Sequence, residues 1–197
     1  MEKKERDRDM TEEKLIDTVG ELIAEVGFEN LGINQVAKRA GYSKNLIYRY
    51  FESLDGLIYA YMKKHDFTIN MPSEQPDMSD LKGYLKGFYR RQILSFRADV
   101  AYRRLRRWEL STDKDIITEI RAQREKSGVQ FTNLLSPLVA LDKRKLLAIT
   151  ALVHAGITYL TILEENCQMY NDIDIQSDAG WQEMAEGIDV LIDMIIK

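Results

Sequence analysis

Apolar residues recur at helical spacing along most of the chain. Leu15, Ile16, Val19, Leu22, Ile23 and Val26 share one face of a helix expected from about Met10 to Val26. Thr11, Glu12 and Glu13 set acids at the positive end of its dipole, and Gly27 is placed to stop it. Phe28 to Gly32 forms a connector. Two short helices follow, Ile33 to Ala40 and Lys44 to about Phe51, joined at Gly41-Tyr42, with Ser43 as the expected cap of the second. Ser53 and Asp55 are placed to cap a fourth, which carries Leu57, Ile58, Tyr61 and Met62. Asn70 to Asp77, with Pro72 and Pro76, breaks the periodicity and reads as a linker. Long helical patterns then run over Ser79–Ser95, Asp99–Leu110, Asp113–Leu135, Asp142–Glu165 and Ser177–Ile196, with a loop over Asn171–Gly180. No segment sustains the alternation of a strand, so the fold class is all-α.

An apolar share of 45% in 197 residues is enough for a real core and excludes disorder for most of the chain. The net charge of -4 argues against a uniformly basic nucleic-acid binder. Its distribution changes that picture, because Asn34 to Phe51 holds Lys38, Arg39, Lys44 and Arg49 and no acid. A local basic patch on an acidic body still attracts phosphate, since distant charge is screened. Cys167 is the single cysteine, which rules out an intramolecular disulfide and fits the reducing cytoplasm. Met1 to Asp9 alternates charges and lacks the apolar run of a secretory signal. Leu146 to Leu163 carries no Asp, Glu, Lys or Arg and is long enough to raise a membrane-span reading. Its Thr150, His154, Thr158 and Thr161, and the missing aromatic belt, favour instead a helix buried on all sides in a soluble bundle, with no membrane partner.

The segment Ile33 to Phe51 meets the physical demands of a helix-turn-helix. Val36, Ala40, Ile47 and Phe51 supply apolar contacts between two short helices, and Ala37 is small where they pass closely. Gly41 admits the positive φ of a sharp turn, and the Ser43 side chain is expected to accept from the exposed amides of the next helix. That core leaves Lys44, Asn45, Tyr48 and Arg49 facing outward. These offer cations to phosphates, an amide and a guanidinium to base edges, and a phenol to phosphate oxygen. A helix of this kind enters the major groove. The bland alternative is a tight helical corner in an unrelated bundle.

The pattern Gly27-Phe28, Ile33, Val36-Ala37, Ala40-Gly41, Ser43, Ile47-Tyr48, Tyr50-Phe51 and Leu57 resembles the TetR/AcrR family of bacterial repressors over Leu15 to Leu57. The resemblance implies a TetR-like, Ω-shaped all-α dimer. Each protomer would carry a three-helix, homeodomain-like helix-turn-helix head and a C-terminal helical bundle. It further implies operator binding by two heads and release of DNA on ligand binding. Carried over by position, the DNA contacts are Lys44, Asn45, Tyr48, Arg49 and Tyr50, with Tyr42 and Ser43 at the turn. Gly32 stands where the family usually has Thr or Ser, Tyr50 where it often has His, and Leu54 where it often has Lys. The division expected is a charged flexible tail over 1–9, the helix-turn-helix domain over 10–54, a connecting helix and linker over 55–78, and a ligand-binding and dimerisation domain over 79–197.

The helix from Asp142 to Glu165 lacks a polar face, which suggests a partner subunit. With the last helix, which adds Trp181, Met184, Ile188, Leu191, Ile192 and Ile195, it is expected to form a four-helix homodimer interface. A thick internal bundle is the alternative. Thr150, His154 and Thr158 line up on one helix, and Tyr84, Phe88, Tyr102, Trp108, Phe131 and Tyr159 are the aromatics that would join them around a small-molecule effector. Hydroxyls bonded back to carbonyls and plain aromatic core are the competing readings. The arginine clusters Arg90-Arg91 and Arg103, Arg104, Arg106, Arg107 read as solvated faces paired with acids such as Glu109, rather than as an anion site. Two distant histidines, no phosphate loop and no activated thiol motif give no enzyme signature, no metal site and no cofactor. A helical ligand-binding or adaptor protein with a vestigial head is the alternative function, favoured by Gly32 and Leu54.

Overall fold

The computed structural model describes residues 2–28, 30–72, 76 and 78–196. Among them the helices are α1 (Glu2–Val26), α2 (Ile33–Ala40), α3 (Lys44–Phe51), α4 (Leu54–His65), α5 (Leu81–Ala98), α6 (Val100–Glu109), α7 (Asp115–Leu135), α8 (Lys143–Leu163) and α9 (Asp178–Ile195). The two strands, β1 (Met169–Tyr170) and β2 (Ile173–Asp174), pair antiparallel. The chain divides into two compact units. One comprises the chain up to Asn70 together with Val100–Gln123, the other Met71–Asp99 together with the chain from Arg124.

In the first unit, α1 buries Leu15, Val19, Leu22 and Ile23 against α2, α4 and α6. Each such side chain contributes roughly 1.5–3 kcal/mol on leaving water. The opposing surface is Val36 of α2, Leu57, Ile58 and Met62 of α4, and Ala101 and Leu105 of α6. Trp108 at the end of α6 stacks on Phe28 with ring centroids 3.6 Å apart, and Arg104 donates to the Ile23 carbonyl at 3.3 Å. These contacts extend the head beyond the two short helices. α4 and α6 belong to the helix-turn-helix unit, because each covers apolar surface of α1 that two short helices leave open. The tail expected over 1–9 is helical from Glu2, and α1 runs on to Val26 without a break. Its alternating charges are good helix formers, and Arg8 pairs with Glu12 one turn on. Thr11 therefore lies inside the helix and bonds back to the Asp7 carbonyl rather than marking a start. The linker expected over 70–77 falls partly outside the described residues, at 73–75 and 77.

In the second unit, α5 and α9 run antiparallel along a rail of ion pairs. Lys86 meets Asp193 at 2.7 Å, and Arg90 grips Asp189 through two bonds of 2.8 and 2.6 Å. Arg97 reaches Asp178 at 2.7 Å and Glu164 at 3.0 Å. The Trp181 indole donates to the same Glu164 carboxylate at 2.8 Å. The loop expected over 171–180 instead holds the turn and second strand of the β1–β2 hairpin and the start of α9. Asn171 and Asp172 both take positive φ, 50° and 63°, as a two-residue hairpin turn requires. Two-residue strands are too short to show alternation in sequence.

α8 is not buried on all sides. Leu152 is 74% exposed and Tyr159 54%, and Ala148, Ala151 and Ala155 are exposed on the same stripe. By length and composition it is the one described helix apolar enough to cross a membrane, and 22% of that stretch is buried within the protomer. α9 likewise exposes Val190, Leu191 and Met194.

Candidate nucleic-acid interface

The turn between α2 and α3 is set by hydrogen bonds from Gly41 and Tyr42. Gly41 sits at φ 76°, ψ 22°, in the left-handed region. Its amide donates to the Lys38 carbonyl at 3.4 Å, and the Tyr42 amide donates to the Ala37 carbonyl at 3.0 Å. Together these close the crossed pair of bonds that ends a helix on a glycine. Gly27 ends α1 with the same sign of φ, 77°. α3 then starts at Lys44 from an extended Ser43. The Ser43 side chain makes no cap bond, which corrects its expected role. Its backbone carbonyl instead accepts from the Leu46 amide at 3.0 Å, and its exposed hydroxyl faces outward. Gly32 precedes α2 without a side-chain cap, as expected of a residue with no hydroxyl.

Ile47 is the one buried residue of α3 and anchors it on the core. The helical repeat then fixes what faces away. Lys44, Asn45, Tyr48 and Arg49 are exposed, with Tyr48 at 50%, while Tyr42 and Tyr50 are half-buried. Among the described residues no carboxylate pairs with Lys38, Lys44 or Arg49. Arg39 is different, because its guanidinium holds Glu25 of α1 through two bonds of 2.8 and 2.7 Å. That bond raises the Arg39 pKa and lowers that of Glu25. Arg39 therefore ties α2 to α1. Sequence spacing alone does not reveal this, because the two residues lie on different helices.

One further cation stands beside the face. Arg8 Cζ lies 5.1 Å from the Tyr50 ring centroid, and Arg49 Cζ lies 5.9 Å from the same ring. α3 ends at Glu52, whose φ of 65° is unusual for a residue with a side chain. Ser53 caps α4 by accepting from the Gly56 amide at 2.9 Å.

The residues expected to surround an effector are divided between the two units. Phe88 is buried and stacks on Phe131 at 4.5 Å, as core. Tyr84 is half-buried and its pKa is raised by burial. Tyr102 and Trp108 belong to the first unit, with Trp108 engaged by Phe28. Tyr159 stands on the exposed stripe of α8, beside Tyr170 at 6.2 Å. His154 Nδ1 meets Gln92 Nε2 at 2.6 Å, and Phe96 is edge-on to its ring. Thr158 Oγ1 and Gln92 Oε1 are both buried without a hydrogen-bond partner. Thr150 donates to the Leu147 carbonyl at 3.0 Å and lines an almost wholly apolar cleft between α5, α8 and α9. That cleft, about 470 Å³ counting its open mouth, is walled by Leu85, Tyr89, Leu146, Val153, Ile188 and Ile192 among others. Burial pushes the Tyr89 hydroxyl up to about 12. Tyr89 and the aliphatic wall escaped the sequence reading, because apolar residues on helices look alike whether they face a cleft or a core. Arg90 pairs with Asp189 and Arg106 with Glu109 at 3.0 Å, but Arg103 and Glu109 are buried, so the α6 cluster is not the solvated face expected.

Residues 15–61 match the family model described as bacterial regulatory proteins, tetR family. The chain matches no curated protein sequence. Several solved structures share its fold at low identity. NalD, the secondary repressor of the MexAB-OprM multidrug efflux pump in Pseudomonas aeruginosa, is 16% identical with a TM-score of 0.66, and the match covers 98% of each chain. A complex of SmeT with triclosan gives a TM-score of 0.62 at 13% identity, covering 95% of this chain and 92% of that one. A transcriptional regulator from Aquifex aeolicus gives 0.60 at 16%, covering 92% and 99%. The fold is thus the all-α TetR-like one with an N-terminal helix-turn-helix, and a head of the matched kind implies operator DNA and an effector ligand as partners. Built on that turn, residues 15–61 match the DNA-binding domain of the tetR family of bacterial regulatory proteins, and the chain is a TetR-type DNA-binding transcriptional regulator.

Proposed function

We propose that this chain is a homodimeric, ligand-released repressor acting in the cytoplasm. The observation that carries the reading is the outward face of α3, where Lys44, Asn45, Tyr48 and Arg49 project together from an acid-free segment. Lys44 supplies charge to phosphate, Asn45 and Arg49 reach base edges, and Tyr48 and Tyr50 donate to the backbone. Tyr42 and Ser43 meet the phosphate next to the turn. Gly32 adds only its amide, so that contact is weaker than a hydroxyl would give. The fully packed head, with Ile47 and Val36 wholly buried, favours a working DNA-binding unit over a vestigial one. Repression is the output supported by the likeness to NalD, itself a repressor.

The exposed stripe of α8 and the apolar face of α9 support a four-helix interface with a second copy. Gln92, His154 and Thr158 are the polar anchor we assign to the effector. Two buried polar atoms there lack partners, at about 1–3 kcal/mol each, and a ligand would satisfy them. Binding then favours a head spacing that no longer matches successive major grooves.

The test is retention of the DNA flanking the chain's own coding region across a salt series. Specific binding should fall steeply with salt. Lys44→Ala should weaken binding to every duplex alike, while Arg49→Ala should also relax sequence preference. Equal losses on specific and random duplexes for Arg49→Ala would reject its base-reading role.

A further inference from the structure

Two guanidinium groups converge on one ring of α3. Arg49 approaches the Tyr50 ring from the same helix, and Arg8 approaches it from the first turns of α1, at 5.9 and 5.1 Å from the centroid. A cation over an aromatic face is attracted by the ring's quadrupole, which biases the rotamers of a surface side chain. Arg8 is also held from behind. Its Nε donates to Glu12 Oε1 at 2.5 Å, one helical turn along α1. This bond occupies Nε alone. Among the described residues the two terminal nitrogens of Arg8 carry no hydrogen bond, and paired N–H groups of this kind fork onto phosphate oxygens. Arg8 is itself well exposed, with 58% of its side chain open to solvent.

The surroundings leave the ring beside two like charges. No Asp or Glu occurs from Asn34 to Phe51, Glu52 follows at the end of α3, and the acids that act on Arg8 are Glu12 by direct contact and Asp9 by proximity. Glu12 offsets one of the two cations. A group that could answer both is an anion placed over the edge of Tyr50, where a DNA backbone would run if α3 lies in the groove.

We propose that Arg8 is a phosphate contact of the DNA interface, positioned by Tyr50 and Glu12, so that the N-terminal turns of α1 grip the backbone beside the groove that α3 enters. This inference rests on the DNA-binding reading above, and its test separates the two. The full chain and its Arg8→Ala, Arg8→Lys and Lys44→Ala variants would be titrated against two duplexes. One is the DNA flanking the coding region, the other a random duplex of equal length.

Arg8→Ala should weaken binding to both duplexes by the same factor, because phosphates carry no sequence. The slope of log affinity against log salt should become shallower by about 0.9 for each bound head. Between about 50 and about 200 mM salt the parent then loses roughly threefold more affinity per head than the variant. Arg8→Lys keeps the charge and should keep the slope, while losing part of the affinity with the fork. In a Tyr50→Leu background, Arg8→Ala should cost less, since the ring no longer holds the guanidinium in place. If Arg8→Ala leaves the slope at the parent value while Lys44→Ala flattens it, Arg8 is not a phosphate contact and the DNA reading stands. If neither flattens the slope, the DNA reading itself fails and takes this inference with it.

Discussion

At Gly41 the head depends on a property of one backbone position. Nothing lies within 4 Å of the point where a Cβ would stand, so a side chain there meets no obstacle. The whole cost of a substitution is therefore conformational. Holding an L-residue in the left-handed region costs about 1–2 kcal/mol. Gly41→Ala should lower the unfolding free energy by that amount, read as a lower denaturation midpoint with no change in the denaturant slope. An unchanged midpoint would show that the turn tolerates a side chain and that the glycine is not what shapes it. Gly20 is the contrasting case. A Cβ there would run into the Tyr61 ring, so this glycine serves the close approach of α1 and α4. The two roles differ in how visible they are. Gly41 stands between two short periodic segments and announces a turn. Gly20 sits inside an unbroken helical pattern, and only the fold brings Tyr61 to it. The same distinction explains Arg39. Its charge is plain in the chain, but its capture by Glu25 depends on where α1 crosses α2.

For elements, what could be read was what is local. The expected bounds of α2 and α3 coincide with those observed, because a capping glycine, an extended serine and a run of only eight residues leave little room for error. α1 exceeds its expected start because charged residues without an apolar stripe look like a tail, although they propagate a helix once α1 is nucleated by packing. The hairpin escaped because its pairing needs two residues on each side and a turn of Asn-Asp. α5 offers a test of its own. Tyr89 titrates ordinarily near 10, and burial in the cleft moves it to about 12. Below the ordinary value the phenol is neutral in both folded and unfolded chains, and the full stability is present. As pH rises from about 10 to about 12, the unfolded chain releases this proton while the folded chain keeps it, so stability falls. The loss at the top of that window is up to ~3 kcal/mol. Tyr89→Phe should make that alkaline slope shallower in denaturation experiments across the window. A variant that keeps the parent's slope would place the titrating group elsewhere.

Across the whole molecule, the composition of α8 indicated an unusual surroundings but not which kind. Burial on all sides, a partner subunit and a membrane each demand an apolar helix, and the bare sequence weighs them only by Thr150, His154, Thr158 and Thr161. The fold narrows the choice by exposing Leu152 and Tyr159 while turning Thr158 and Thr161 inward. An apolar stripe facing outward is the reverse of what a surface helix of a monomer shows. Under the homodimer reading, Leu152 at 74% exposure is the position to change, because it makes little contribution to the protomer's own core. Leu152→Glu should leave helicity and thermal unfolding of the protomer close to the parent's. In a two-fold interface the substitution introduces two carboxylates at once, each losing several kcal/mol of solvation with no cation to meet it. Sedimentation should therefore change from dimer to monomer at micromolar concentration. With one head per particle, affinity for the flanking DNA should drop towards the nonspecific range, about a thousandfold or more below specific binding. A Leu152→Glu protein that sediments as a dimer and holds DNA as the parent does would remove α8 from the interface, and would leave its exposed apolar stripe in need of a different partner.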